Sequence, residues 1–198
     1  MADRCRVVAV EHLTLDGVYQ APARADEDER GGFAHGGWSV TGDDPAMQKA
    51  IASYMGAGWS LLVGKTTYED LYEGWQVRQP SSPMTKALTG VQKFVASHDP
   101  SYQLRWTNST LLSGDAMEAV ARLKREHDKT LIVFGSGVLV CSLMRRRLLD
   151  EVLMMVHPLV LGEGRRFFSD APFASFALTS NSATASGVSV CTYELTPN

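Results

Sequence analysis

Short apolar runs alternate with amphipathic segments along most of the chain. The runs at residues 6–14, 59–63, 130–134 and 149–157 are apolar at most positions, which is typical of strands buried on both faces of a sheet. Helices are predicted between them, and acidic or hydroxyl residues stand where several of these helices begin. The alternation predicts an α/β fold with a mostly parallel central sheet and helices on both faces.

The last part of the chain has a different pattern. Residues 165–169, 173–180 and 188–195 are predicted as further strands, and strands that follow one another without helices predict an antiparallel edge. Residues 21–37, by contrast, are polar and rich in glycine. A loop of this length in a compact domain is usually functional or mobile. We therefore expect antiparallel edge strands and a functional loop after the first strand.

The composition narrows the class of protein. With 198 residues, 44% of them hydrophobic and 21% charged, we expect one globular domain over residues 1–198. A net charge of -3 gives no reason to expect a nucleic-acid partner. No apolar stretch reaches the ~20 residues that span a bilayer, and no cleavage-type signal precedes the first strand. Three widely spaced cysteines predict reduced thiols in a cytoplasmic protein, and we expect no structural metal.

Candidate chemistry begins where an apolar strand runs into Gly64-Lys65-Thr66-Thr67 and then into a helix. Backbone N–H groups, two hydroxyls and one ammonium then stand at a helix N-terminus, where anions bind. A nucleoside-triphosphate P-loop needs a glycine five positions before Gly64, but Trp59 stands there in a buried strand. The turn is therefore predicted to hold one phosphate of a larger ligand.

A second turn has the same design. The strand at residues 130–134 runs into Gly135-Ser136-Gly137 and then into a segment compatible with a helix. Glycines let the backbone approach a phosphate closely, although they also serve ordinary strand–helix connections. Two such turns in one chain predict a diphosphate or dinucleotide ligand. Neither carries the three spaced glycines and later acidic residue of the dinucleotide fingerprint, so an ordinary Rossmann domain is disfavoured.

Together these motifs resemble the dihydrofolate reductase-like superfamily, and in particular the reductase domain of bacterial riboflavin biosynthesis. Four segments carry the resemblance in the family's order and spacing: residues 13–17, 62–69, 133–137 and 149–164. The resemblance implies a dihydrofolate reductase-like three-layer fold. It also implies an NADPH-dependent reductase of a small heterocycle, similar to 5-amino-6-(5-phosphoribosylamino)uracil reductase or dihydrofolate reductase. A non-catalytic nucleotide or small-molecule binding protein of the same fold is the open alternative.

The resemblance assigns nine residues to NADPH. The first turn would hold the adenosine side, the strand end at residues 97–98 would contact the adenosine, and the second turn would take the diphosphate. These residues are Gly64, Lys65, Thr66, Thr67, Ser97, His98, Gly135, Ser136 and Gly137. The family usually has arginine where Lys65 stands. An ammonium, which acts as a point charge, therefore replaces a guanidinium, which can donate two parallel hydrogen bonds to one phosphate.

On the substrate side, the candidates are Asp16, Trp38, Asp43 and Asp44. Asp16 ends the first strand, where ligands bind in open α/β sheets, but aspartate before glycine is also a common turn former. A tryptophan followed by a helix that begins with a carboxylate resembles the layout of dihydrofolate reductases. That layout places Trp38 and Asp44 against the substrate and makes Asp16 or Asp43 the catalytic carboxylate. One of the two neighbouring aspartates is expected to cap the helix instead.

The end of the chain also predicts a homodimer. Its last third is rich in apolar strand, and four phenylalanines in it are expected to cluster: Phe167, Phe168, Phe173 and Phe176. One small domain would leave part of this surface uncovered, and an uncovered apolar patch marks an interface. Related reductase domains are often dimers, which the resemblance extends to this chain.

Overall fold

The computed structural model describes residues 5–39, 44–56 and 58–196. Within these ranges the chain forms eight strands and five α-helices, which largely alternate as the apolar pattern predicts. The strands are β1 (Val7–Thr14), β2 (Trp59–Gly64), β3 (Lys93–Ala96), β4 (Ser109–Leu112), β5 (Thr130–Phe134), β6 (Glu151–His157), β7 (Phe176–Ala183) and β8 (Ser189–Leu195). The helices are α1 (Pro45–Met55), α2 (Lys65–Leu71), α3 (Pro83–Gly90), α4 (Ala116–Glu126) and α5 (Gly137–Arg145).

All these strands join one sheet in the order β4-β3-β2-β5-β1-β6-β8-β7. The pairs from β4 to β6 are parallel, whereas β8 runs antiparallel to β6, and β7 antiparallel to β8. This confirms the predicted mostly parallel sheet with antiparallel edge strands. The parallel strands end on one side of the sheet, which we call the carboxyl rim, at Thr14, Gly64, Ala96, Leu112, Phe134 and His157.

The central strand β1 packs into two separate cores. Val7, Ala9 and Leu13 point to the face covered by α4 and α5. Val8 and Val10 point to the opposite face, against α1, α2 and α3. Because both faces of β1 are buried, its apolar run is continuous rather than alternating. Helices on both faces confirm the predicted three-layer arrangement. In the described ranges, no helix combines the length and apolar character needed to cross a bilayer.

The strand predicted at residues 165–169 is wrong. This segment is a loop that forms a single antiparallel bridge, between Val18 and Arg166, and no ladder. Its apolar character has another cause, because Phe167 is buried in the core on the α5 side, whereas Arg166 is exposed and Phe168 is 38% exposed. One deeply buried aromatic residue therefore gave this loop the composition of a strand.

α2 continues directly into a π-helix at Tyr72–Val77, and Gly74 lies inside it. A β-carbon added at Gly74 would lie 2.5 Å from Nη1 of Arg24, so the glycine permits close approach of this guanidinium. The contact holds the long loop after β1 against the π-helix.

That loop, residues 18–39, has a defined conformation, and we call it the covering loop. Gln20 Nε2 donates to two carbonyls of the loop itself, at 2.9 and 3.0 Å. Tyr19 contacts the turn after β5, and Trp38 contacts the end of β6. The covering loop therefore lies over the carboxyl rim. Four of its side chains form a small apolar cluster: Val18, Ala21, Phe33 and Trp38.

Candidate active site

The two glycine turns lie side by side on the carboxyl rim. β2 and β5 are neighbours in the sheet, so the turns that follow them meet. Gly64 N donates to Ser136 Oγ at 3.1 Å, and a β-carbon added at Gly135 would lie 3.3 Å from Cγ2 of Thr67. Gly135 and Ser136 both have left-handed backbone, with φ of 54° and 56°, which turns the chain sharply from β5 into α5. The structure thus brings together the two turns that were predicted to bind phosphates.

The end of β3 lies next to these turns. Ala96 pairs with Gly64 across the parallel ladder, so the residues that follow β3, Ser97 and His98, reach the same rim. Ser97 Oγ accepts a hydrogen bond from Asp99 N at 3.0 Å, and the His98 side chain is exposed. The adenosine-side residues predicted from the two strands are therefore neighbours.

Lys65 begins α2 and is half-buried. Its ammonium lies 4.5 Å from the centre of the Tyr102 ring, a cation–π contact that fixes the side chain without using its hydrogen-bond donors. In the described part of the chain the ammonium forms no ion pair. Thr66 beside it is exposed, and Thr67 is half-buried. The ammonium and the two hydroxyls thus belong to the first turn of α2, and their binding of an anion stays a prediction.

Gly137 has a packing reason of its own. A β-carbon added there would lie 2.8 Å from Cζ and 3.0 Å from the hydroxyl oxygen of Tyr19. The Tyr19 ring also packs edge-on against Phe167, with ring centroids 5.6 Å apart. Glycine is therefore required at position 137 by the covering loop, whatever binds at the start of α5. Its assignment to the diphosphate stays a prediction.

Asp16 fastens the end of β1 to the loop that follows β6. Its carboxylate accepts hydrogen bonds from Thr14 Oγ1 at 2.6 Å, Gly162 N at 2.9 Å and Leu161 N at 3.2 Å. The Thr14 hydroxyl first, and then these backbone donors, lower the pKa of Asp16 to about 2. Arg166 Nη2 adds an ion pair at 3.4 Å. The structure thus gives Asp16 a structural role, and the predicted catalytic role stays a prediction.

Trp38 is 7% exposed and closes the covering loop. Its indole N–H donates to the Gln20 carbonyl at 2.7 Å, so its only donor is satisfied within the protein. Its ring meets the His157 ring edge-on, with centroids 5.2 Å apart. Trp38 can therefore offer a substrate an apolar ring surface, but no free hydrogen bond.

Asp44 is the capping residue of the aspartate pair. Its side chain accepts from Ala46 N at 2.9 Å at the start of α1, and from Ser186 Oγ at 3.2 Å in the loop between β7 and β8. These bonds occupy the carboxylate that was predicted to face the substrate. Asp43, the other catalytic candidate, lies outside the described residues.

A histidine pair at the ends of β1 and β6 was not among the predicted site residues. His12 Nδ1 and His157 Nε2 lie 2.9 Å apart, so one nitrogen donates and the other accepts. Burial, followed by the neighbouring imidazole, lowers the pKa of His12 to about 4, and burial also lowers the pKa of His157. Both rings are therefore neutral at pH 7. The signal in the sequence was one histidine near the end of each of two apolar strands. The two histidines are 145 residues apart, so their contact could not be predicted.

Glu11 was also missed. It is 3% exposed in the central strand, and burial raises the pKa of its carboxyl well above the usual range. Oε1 accepts from His12 N at 3.2 Å, whereas Oε2 has no hydrogen-bond partner in the described ranges. An acidic residue inside an otherwise apolar strand was the sequence signal. A buried carboxyl that lacks a partner on one oxygen needs a functional explanation.

This strand order, with paired glycine turns and a polar cluster on one rim, defines a dihydrofolate reductase-like α/β protein. The sequence profile of the RibD C-terminal domain family matches residues 6–192, so the chain belongs to that family. The uncharacterized protein YyaP of Bacillus subtilis (strain 168) is 32% identical over 117 residues, or 56% of this chain. The uncharacterized protein YwjB of the same organism is 31% identical over 111 residues. The matches span 60% of the length of YyaP and 59% of the length of YwjB.

Solved structures show the same fold. A protein of Shewanella sp. PV-4 assigned to riboflavin biosynthesis has a TM-score of 0.68 at 17% identity, covering 97% of this chain and 99% of that chain. Dihydrofolate reductase from Enterococcus faecalis, solved with NADP(H) and RAB-propyl, has a TM-score of 0.62 at 14% identity and 97% coverage of both chains. These matches show the same fold, and the family match over residues 6–192 confirms the resemblance carried by the four sequence segments.

Proposed function

We propose that the protein is an NADPH-dependent reductase of a small heterocyclic substrate, acting in the cytoplasm. The observation that carries the proposal is the hydrogen bond from Gly64 N to Ser136 Oγ, because it sets two helix starts side by side for the phosphates of one dinucleotide. The solved dihydrofolate reductase of the same fold, which holds NADP(H), supports this choice of cofactor. The three free cysteines support a cytoplasmic location.

On the cofactor side, the proposed role of the protein is to bind and orient NADPH. NADPH supplies the hydride when it is bound. The N–H groups at the start of α5 would receive the diphosphate, and Lys65 with its neighbouring threonines would receive the phosphate on the adenosine ribose. Ser97 and His98, at the end of β3, would contact the adenosine.

On the substrate side, the histidine pair provides a route for a proton. When His157 Nε2 donates to His12 Nδ1, the proton of His12 is on Nε2 and can pass to a nitrogen or oxygen of the substrate. The proton of His157 then moves to Nδ1 of His12, and Nδ1 of His157 takes up a proton from solvent, so that both rings are neutral again. This relay is a candidate proton source in addition to Asp16 and Asp43.

The test of the proposed function is a turnover assay. NADPH oxidation is followed by absorbance with a panel of pterins and pyrimidines, and binding of NADPH is measured separately. Oxidation that depends on one panel member supports the reductase. Tight binding of NADPH without turnover on any member supports the alternative, a non-catalytic binding protein of the same fold. Absence of NADPH binding contradicts the proposal.

Lys65 should make the protein prefer NADPH over NADH. We expect NADPH at 100 times its Kd to stabilise the fold by about 2.7 kcal/mol, and NADH at the same concentration to stabilise it much less. The Lys65→Glu variant should lose this preference, because a carboxylate would face the 2′-phosphate. Thermal shift measures both effects. Lys86→Glu, at an exposed position of α3, is the matched control and should keep the preference. Equal shifts with both cofactors in the wild type would contradict the assignment of Lys65.

We also propose a homodimer, formed through β7. Only Phe176 of this edge strand is partly buried, while Leu178 is 53% exposed. Phe173 is 88% exposed, so it does not join the predicted phenylalanine cluster, in which Phe168 contacts Phe167 and Phe176. An unpaired strand edge beside exposed apolar side chains favours association.

Sedimentation velocity at micromolar concentration tests the dimer. The wild type should sediment at twice the chain mass of 21.6 kDa. Leu178→Lys should shift the protein to the monomer, because the charge would be buried in the interface. Val77→Lys, at a residue 50% exposed on the π-helix, is the control and should leave the dimer intact. A wild-type mass near 21.6 kDa would refute the proposal.

A further inference from the structure

The position of the Glu11 carboxyl follows from the ladder between β1 and β5. That ladder ends at Phe134, and the peptide groups of even-numbered β1 residues face β5, as the bond from Leu131 N to the Arg6 carbonyl shows. His12 N–H therefore points to the opening beyond the end of β5. Glu11 Oε1 accepts this N–H at 3.2 Å, which places the carboxyl in the opening between β1 and the turn at residues 135–137.

This opening is enclosed by the covering loop. Tyr19 packs against Gly137 on its outer side, and Glu27 of the loop adds a second carboxylate whose charge opposes ionisation of Glu11. The Glu11 carboxyl, almost completely buried, is consequently held in its neutral form. A neutral carboxyl has one hydroxyl donor and one carbonyl acceptor. Since Oε1 already accepts from His12 N, the oxygen without a partner is the one that can carry the proton.

We infer that Glu11 Oε2 donates a hydrogen bond to the carbonyl oxygen of an amide-type group on a bound ligand. This inference rests on the proposed function. Two ligands of a reductase offer such a group: the carboxamide of the nicotinamide and the lactam of a heterocyclic substrate. The opening adjoins the turn assigned to the diphosphate, which favours the nicotinamide. The bond would fix the orientation of the ring and satisfy a buried group that the protein alone leaves without a partner.

Isothermal titration with three probes tests the inference: NADPH, 2′-phospho-ADP-ribose, which lacks the nicotinamide, and uracil added to the NADP⁺-saturated protein. The Glu11→Leu variant should bind NADPH about tenfold more weakly, the effect of one lost hydrogen bond, and should bind 2′-phospho-ADP-ribose like the wild type. The matched control is Glu11→Gln, which keeps a donor and an acceptor in the same shape and should bind NADPH nearly as well as the wild type. Glu11→Met replaces Glu11→Leu if the branched side chain prevents folding.

The outcomes distinguish the two ligand groups that could accept the hydrogen bond from Glu11. Unchanged affinity for NADPH with about tenfold weaker binding of uracil in Glu11→Leu assigns the bond to the heterocycle. Unchanged affinity for NADPH without weaker binding of uracil overturns the inference and leaves the proposed function intact. Equal weakening of NADPH and 2′-phospho-ADP-ribose also overturns it, because the loss would then lie outside the nicotinamide. A wild type that does not bind NADPH contradicts the proposed function and this inference together.

Discussion

Between pH 7 and pH 4, the wild-type protein should lose about 3 kcal/mol more unfolding free energy than a His12→Gln variant. The cause is the buried pair of neutral imidazoles at the ends of β1 and β6. In the unfolded chain His12 has its ordinary pKa of 6.5, whereas in the fold burial and the His157 ring lower the pKa to about 4. A difference of this size corresponds to roughly 3 kcal/mol at about 1.4 kcal/mol per pKa unit.

The direction follows from proton binding. Between pH 6.5 and about 4 the unfolded chain binds a proton at position 12 that the folded protein does not bind, so acid favours unfolding in this window. Burial lowers the pKa of His157 as well, but both proteins carry His157, so its contribution cancels in the comparison. Glu11 acts in the opposite direction because its pKa is raised, but both proteins carry Glu11, so its contribution cancels in the comparison.

Urea unfolding at a series of pH values measures the difference. The control is His98→Gln, which replaces an exposed histidine and should give a pH profile parallel to that of the wild type. At pH 7 the His12→Gln variant itself should be less stable than the wild type, because His157 loses its imidazole partner. Parallel profiles for wild type and His12→Gln would show that the pair binds protons equally in the folded and unfolded states.

The fold could be predicted from the apolar pattern because most of its strands are buried on both faces. Helices cover both faces of β1, β2, β5 and β6, and these strands are therefore apolar at most positions. The local pattern was sufficient to predict them. The segment at residues 165–169 misled the prediction because only Phe167 in it is buried. A segment with one deeply buried aromatic residue has the composition of a strand, but it has no neighbouring strand to form a hydrogen-bonded ladder with.

The residues of the candidate site also differ in whether the sequence could predict them. The two glycine turns could be found because a strand, a glycine and a helix start are adjacent in the sequence. Glu11, His12 and His157 were missed because their chemistry depends on burial and on contacts between distant segments. The partners of Asp16 in the loop after β6 lie 145 and 146 residues away, so its hydrogen bonds could not be predicted either. A polar residue within an apolar strand is nevertheless a local signal, and all three missed residues carry it.

The Asp16→Asn variant should lose about 1–2 kcal/mol of unfolding free energy and about 10²-fold or more in turnover. The loss of stability has a clear cause, because the carboxylate accepts from Thr14 Oγ1, Leu161 N and Gly162 N. An amide offers these donors one accepting oxygen instead of two and loses the charge. The stability that depends on this charge is present above pH 4 and is lost as the pH falls through the lowered pKa of about 2. The expected loss of turnover rests on the position of Asp16 at the carboxyl rim, where a carboxylate can serve a substrate.

Thr14→Val separates the two roles of Asp16. The Thr14 hydroxyl donates to Asp16 and accepts from Val18 N, so its removal should cost a similar amount of stability while leaving the carboxylate in place. If Asp16 acts on the substrate, Thr14→Val should keep most of the turnover that Asp16→Asn loses. Urea unfolding and steady-state kinetics on the substrate found in the panel provide the two readouts. Equal losses of turnover in both variants would mean that Asp16 only holds the turn after β1. Full turnover in Asp16→Asn would leave the proton transfer to Asp43 or to the His12–His157 pair.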